Sequence, residues 1–387
     1  MSQQKEETGL AKLHLFTGVP QDENFANMQR LVNAKEMKPS RRPFEFPTGP
    51  AITLPKSYTA SLDGVTRDLK TFLDETHTSA LLVLKDGAVR FEQYWRTGGR
   101  KVQWLSMSVG KSFTSALVGI ALKEGLIKSL EDRIDKYAPK LAGTAYEGVR
   151  IKDVLQMSSG ARWYEDYNDP NSEVFGLTAA MSADGSFEKF MSTMVRENTP
   201  GTVCKYDSAD TQALGMLLAG STGRSVTEYM EEKLSEPLGM ESSGYWLADS
   251  KGVEMVAGGL LLTARDFAKL GELYRNGGVW RGQQIVPADY IAASIKFDAP
   301  HLAPGKPIVA DHGLPLGYGY QWWLPDGDRG EFTGIGVYNQ YVYVDPSRGV
   351  VINKLSANPA YGTSKGEETN KDLENIDVIR AISRQFD

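Results

Sequence analysis

Ser108 and Lys111 stand three residues apart in the stretch WLSMSVGKSFT, residues 104 to 114. If Ser108 opens a helix, Lys111 lies one turn further along on the same face. The ammonium and the hydroxyl can then share a hydrogen bond. A serine hydroxyl is a poor nucleophile until a neighbour takes its proton. A lysine held in a low-polarity pocket can lose its own proton and become that neighbour. The helix N-terminus adds a potential that favours negative charge developing at Ser108. Ser and Lys at this spacing also occur by chance, so the pair needs companions.

Two other readings of the same stretch compete with this one. Gly110-Lys111-Ser112 is the tail of a phosphate-binding loop, but the first glycine of that motif should fall at position 105, which is Leu105. A hydrolase nucleophile elbow, G-x-S-x-G, fails at its first position, which is Ser106. That reading also needs a late histidine, for which His301 and His312 are far enough along the chain, and a parallel sheet. An S-x-x-K enzyme needs a second proton carrier and an oxyanion donor on a strand. Downstream, KYDSADTQALG places Tyr206 and Ser208 just before a helix. Further on, EFTGIGVYNQYVYVDP places Gly334 and Gly336 around Ile335 on a strand, where backbone must approach a ligand closely.

Trp163, Tyr164, Tyr167, Trp322, Trp323 and Tyr338 either line a pocket for a hydrophobic or linear aliphatic acyl group or simply pack. A cationic amide substrate would want a carboxylate near its amine end. Asp166, Asp169 and Glu173 are the candidates, with solvated loop charge as the alternative. The run Phe175-Gly176-Leu177-Thr178 that follows has no acid. Cys204, two residues before Tyr206, has no histidine near it in sequence and reads as a small buried residue.

These residues must be positioned by particular elements. Residues 79 to 95, SALLVLKDGAVRFEQYW, alternate around Asp86-Gly87 and predict a hairpin. From Ser108 the period becomes helical, with Val109, Phe113, Ala116, Leu117 and Ile120 on one stripe and Gly125 as the stop. Further helices are expected over 211–218, over 225–234 with a Ser225/Glu228 capping box, and over 263–274 before Gly277-Gly278. Short aromatic and β-branched strands follow at 317–323, 330–337, 340–344 and 350–355, then a helix over 371–384. Strands at both ends with helices between them give an α+β fold, an antiparallel β-sheet flanked by helices with an inserted mainly helical domain. The expected division is an extended arm over 1–60, a sheet domain over 61–130 plus 250–387, and a mainly helical domain over 131–249, with the site between the two domains.

Bulk properties narrow the function classes. The chain has 387 residues, 41% hydrophobic and 24% charged, with a net charge of -6. Both charge signs are scattered and no dense basic block appears, which argues against nucleic acid as a partner. A single cysteine excludes an internal disulfide and a Cys-only metal site. His14, His77, His301 and His312 lie far apart and outside any ligand motif, so each reads as a surface or loop histidine, and no metal or cofactor is expected. The N-terminus carries no charged-then-apolar signal pattern, and no apolar run is long enough to span a membrane. A cytoplasmic protein acting on a small molecule is the expectation, with a homodimer left open.

Taken with SMSVGKSFTSALVGIALKEG, IKDVLQMSSGARWYEDYNDP, YDSADTQALGMLLAGSTG, AGGLLLTARDFAKLGELYRNGG, GYGYQWW and TGIGVYNQYVYVDP, the chain resembles the serine β-lactamase and penicillin-recognising superfamily over residues 75 to 385. It is most similar to the class C-like branch, which includes family VIII carboxylesterases and the 6-aminohexanoate-dimer hydrolase type. The resemblance implies a β-lactamase/transpeptidase-like fold and a catalytic set of Ser108, Lys111 and Tyr206. It implies that Ser108 is acylated, that Lys111 and Tyr206 share the proton work, and that Tyr206 helps activate water for deacylation. It also implies an oxyanion hole from the backbone N–H groups of Ser108 and Val337, the latter following Gly336, with Ser208 in support. Tyr167 matches a tyrosine that lines the site and donates to the leaving amine, while Trp163, Trp322 and Tyr338 are the further candidates for substrate binding. Two departures matter. The late strand reads G-I-G where β-lactamases carry K-T-G, and the Y-x-N asparagine is Ser208. These imply a hydrolase of esters and linear amides rather than of penicillins. The alternative is a β-lactamase-like or penicillin-binding protein with slow or no turnover; a cell-wall peptidase ranks below both for want of an export signal.

Overall fold

Asp86 and Gly87 both adopt positive φ, 50° and 75°, the backbone that a two-residue turn needs to match strand twist. The turn joins Thr78–Lys85 to Ala88–Tyr94. This computed structural model describes residues 20–387; His14 and the first part of the expected arm lie outside the described residues. The N-terminal hairpin pairs with the last strand of the chain, Val350–Ser356, in antiparallel register with Ile352 opposite Val83. From there the sheet continues through Gln340–Asp345, Phe332–Gly336, Trp323–Leu324 and Gly317–Tyr318, making seven strands. Every pairing in it is antiparallel. The fold is therefore the mixed helix and antiparallel sheet that the ordering of elements predicts.

Period-two alternation explains how this sheet divides the core. On Thr78–Lys85, Leu82 and Leu84 enter one buried cluster, with Phe113, Leu117, Phe267 and Leu270. Leu81 and Val83 enter the other, with Phe72, Ile376, Ile379 and Ile382. Thus the helices Gly110–Lys123 and Ala264–Arg275 share one cluster, and the last helix, Asp372–Ser383, belongs to the other. A strand buried on both faces reads as a continuous apolar run, which ALLVL is.

Three differences from expectation have physical causes. Gly110–Lys123 is buried at every position from Gly110 to Ala121, not along one stripe; a helix enclosed on all sides needs no polar face. The helix starting at Val226 has the Ser225/Glu228 capping box, then passes through a π-helical stretch, Glu231–Ser235, to Leu238. Residues 20–60 are not only extended. Ala34–Met37 is the edge strand of a second, four-stranded sheet, paired with Gly244–Leu247, which continues through Leu260–Leu262 to Trp104–Leu105. That sheet delivers the chain directly to Ser106.

Candidate active site

Ser108 sits in a single tight turn, Met107–Val109, that runs straight into the Gly110–Lys123 helix. Met107 has φ of 45°, a left-handed backbone rare for a bulky residue and a form of strain common at functional sites. The neighbours fix the turn. Ser106 N–H donates to Leu260 O at 2.7 Å. A Cβ on Gly110 would lie 3.1 Å from Ser106 Oγ and 3.3 Å from Leu260 Cβ, a tight fit beneath the turn. A Cβ on Gly336 would lie 2.6 Å from Ser106 O, so this glycine lets the Phe332–Gly336 strand close onto the turn. Val337, the next residue, therefore lines the cleft beside Ser108. The other serines of the stretch are occupied elsewhere: Ser106 Oγ donates to Met107 O and Ser112 Oγ to Gln321 O, both at 2.7 Å.

One helical turn on, Lys111 is buried and its Nζ has three neighbours. They are Ser108 Oγ at 3.0 Å, Ser208 Oγ at 3.0 Å and Ala257 O at 2.6 Å. Ala257 O can only accept. Ser208 Oγ donates its own proton to Glu165 Oε1 at 2.9 Å, so toward Lys111 it also accepts. A neutral amine has two N–H groups and one lone pair, and these two acceptors use both N–H groups. The lone pair is left facing Ser108 Oγ. Burial pushes the Lys111 amine down to about 8, against the opposing charges of Glu165 and Asp207. The proton thus comes and goes near neutral pH at the position where a base for Ser108 belongs.

Glu165 is the residue that reading the sequence missed. It is buried, and its carboxylate accepts from Trp163 Nε1 at 2.7 Å, Tyr167 Oη at 2.7 Å, Ser208 N at 3.1 Å and Ser208 Oγ. Those bonds join the Trp163–Tyr167 loop to the start of the Ser208–Thr222 helix. The helix itself is capped by Asp207, whose Oδ1 accepts from Ala209 N at 2.7 Å and Asp210 N at 3.2 Å. Burial raises the carboxyls of both Asp207 and Asp210, the latter to about 7. Just before the cap, Tyr206 stacks on Trp323 with ring centroids 4.9 Å apart, and Lys111 Nζ lies 5.1 Å from its ring centre. Burial first, and then the Glu165 charge, hold the Tyr206 phenol well above its ordinary value, while its hydrogen bond with Ser108 opposes them. Tyr206 is therefore a protonated donor next to Ser108 at ordinary pH.

Two cavities meet at this cluster, and Ser108, Glu165, Tyr167 and Val337 line both. The first, of about 520 Å³, is walled by Tyr206, Trp323, Asn168, His312, Asn370 and Asp372. The second, of about 680 Å³, is walled mainly by methionine, leucine, valine and phenylalanine side chains. Not every expected residue reaches them. Ser208 lines the second cavity. Trp163 is fully buried behind the cleft, holding Glu165. Trp322 packs in the core against Tyr274 and Phe332, and its neighbour Trp323 faces the cavity instead. Tyr338 turns away to pack on Phe25 and Tyr361, at 5.1 and 5.4 Å between ring centroids. Asp166, Asp169 and Glu173 line neither cavity; Asp166 pairs with Lys365 at 2.8 Å and Glu173 with Arg162 at 3.4 Å. Cys204 is buried and its thiol is pushed up to about 12. His312 lines the first cavity although the sequence reads it as a loop histidine. Among the described residues no His/Cys/Asp/Glu group suits a metal ion, and no helix is long and apolar enough to cross a membrane.

The chain is similar to several known proteins. The family model for beta-lactamase matches residues 65–373. A 6-aminohexanoate-dimer hydrolase of Paenarthrobacter ureafaciens is 31% identical over 327 residues, covering 81% of each chain. A solved structure described as a 6-aminohexanoate-dimer hydrolase from Bacillus anthracis superposes with a TM-score of 0.83 at 22% identity, covering 98% of both chains. A family VIII carboxylesterase superposes with a TM-score of 0.62 at 15% identity, over 81% of this chain and 94% of that one.

Proposed function

Because the chain belongs to the beta-lactamase family, we propose that it is a serine hydrolase that forms an acyl-enzyme at Ser108 and cleaves carboxylic esters and linear amides. The observation that carries this reading is the Lys111 amine, buried, shifted to about 8 and hydrogen-bonded to Ser108 Oγ at 3.0 Å. Neutral Lys111 takes the Ser108 proton as Oγ bonds to the carbonyl carbon. The carbonyl electron pair moves onto oxygen, where the backbone N–H groups of Ser108 and Val337 are the donors. Collapse of this intermediate breaks the bond to the leaving oxygen or nitrogen. Tyr206 supplies that atom with a proton and recovers one from the Lys111 ammonium. Tyr167 is a second hydroxyl on the same cavity; its proton goes to Glu165, so its oxygen is placed to accept from the N–H of a leaving amine. Water then attacks the acyl carbon, its proton returns through the same groups, and the acid departs with Ser108 restored.

Ser208 and Glu165 act through Lys111 by fixing which way its lone pair points. Gly336 acts by admitting the strand that brings Val337 alongside. The relatives support both substrate kinds, one being named for a linear amide dimer and another for carboxylic esters. The test uses p-nitrophenyl butanoate. The wild-type protein should turn over continuously, and Ser108→Ala should release no p-nitrophenol and show no butanoyl adduct by intact mass. Full activity in Ser108→Ala would overturn the assignment of the nucleophile. A stoichiometric burst with a persistent adduct would assign the slow-turnover, penicillin-binding reading instead.

A further inference from the structure

The two cavities at Ser108 differ in chemistry. Tyr206 lines the smaller one and is absent from the larger. A leaving atom must sit within reach of its proton donor, so the leaving group occupies the Tyr206 cavity. The acyl chain then extends the other way, into the cavity lined by Met28, Leu105, Val174, Phe175, Met181 and Met255. We infer that this second cavity is an acyl subsite for uncharged apolar chains, and that the enzyme's substrates carry an aliphatic or aryl acyl group without an ammonium terminus.

The inference rests on the hydrolase reading above, and it narrows it. Among the described residues, Glu165 is the only acid lining the apolar cavity. Its two oxygens already accept from Trp163, Tyr167, Ser208 N and Ser208 Oγ. A carboxylate offers about four acceptor positions, so none is left for a substrate ammonium. A cationic chain end in this cavity would lose its hydration and gain no partner. Among the described residues, Thr178 is the one other polar side chain on that wall besides Ser108, Ser208 and Tyr167, and a hydroxyl cannot neutralise a charge. Methionine-rich walls also adapt to chains of different shape, which suits a range of acyl groups rather than one.

A series of p-nitrophenyl esters tests this, because the leaving group stays constant while the acyl chain varies. From acetate to hexanoate, kcat/KM should rise about three- to fourfold per methylene. The 6-aminohexanoate ester should fall at least about 30-fold below the hexanoate ester, since a buried charge without a partner is strongly disfavoured. Met181→Ala should lower the ratio of hexanoate to acetate rates. A second series, with constant acetyl and alcohols of increasing length, should show a flatter response. Equal rates for hexanoate and 6-aminohexanoate, or a chain-length response confined to the alcohol series, would overturn the subsite while leaving the Ser108-dependent hydrolase intact. If no ester of either series is cleaved, the hydrolase reading itself fails, and this inference with it.

Discussion

Lys111 is the residue on which the proposed chemistry turns, because its protonation decides whether Ser108 has a base. Below about pH 8 the amine is charged, all three of its hydrogens are in use, and it cannot take the Ser108 proton. Above that value the lone pair is free. With p-nitrophenyl butanoate, kcat/KM should climb about tenfold per pH unit on the acid side and level off through a midpoint near 8. Glu165 raises the Lys111 value, so removing its charge should move the midpoint the other way, to lower pH, in Glu165→Gln. A midpoint unmoved by Glu165→Gln, or a profile flat between pH 6 and 9, would remove Lys111 from the role of base. The Ser108–Lys111 pair was legible in the sequence because both residues lie within one helical turn. Glu165 was not, because its meaning comes from Ser208, 43 positions away. Choosing between Trp322 and Trp323 was equally out of reach. The strand is only two residues long, Trp323–Leu324, and it follows Gln321 with φ of 61°, so no alternation runs through the pair to say which ring faces inward.

Among the elements, the long strands and the capped helices were the legible part, since turn chemistry and period-two patterning are local signals. The strand Val350–Ser356 nevertheless holds a residue that no pattern explains. Lys354 is fully buried there, with Ser356 Oγ at 2.6 Å and Thr76 Oγ1 at 3.4 Å as its partners. Among the described residues it pairs with no carboxylate, and burial alone pushes its amine well below the ordinary lysine value. The native protein therefore holds this amine with less affinity for a proton than the unfolded chain does. Stability from this site should rise as pH rises from the depressed native value toward 10.5, where the unfolded chain also loses its proton. Lys354→Met keeps the length of the side chain and removes the polar group. It should raise stability at pH 7 by about 1–3 kcal/mol and flatten the pH dependence of the thermal midpoint on the alkaline side of neutrality. A lower midpoint for Lys354→Met would mean that the Ser356 and Thr76 hydrogen bonds outweigh the cost of burial.

At the scale of the whole molecule, the segment read as an extended arm is part of the site's support. Phe25 is fully buried and meets Trp104 and Tyr338 edge-on, with ring centroids 6.0 and 5.1 Å apart. Trp104 leads into the Ser108 turn, and Tyr338 follows Val337 with φ of 63°. One ring thus braces both backbone segments that carry the proposed oxyanion donors. Met28, on the next short helix, lines the apolar cavity, and Ala34–Met37 completes the four-stranded sheet. Proline-rich, turn-rich sequence does not say which residues of the arm make these contacts, because they are made by single side chains to elements far along the chain. Phe25→Ala should cost about 3–5 kcal/mol, the transfer and cavity penalty of a buried phenylalanine. It should appear as a lower urea midpoint with an unchanged slope. Activity under native conditions should fall as well, through kcat rather than KM, because the strained Met107 and Tyr338 backbones lose their common brace. A variant with wild-type stability, or one destabilised but with unchanged kcat, would confine Phe25 to ordinary packing and return the segment to the status of an arm.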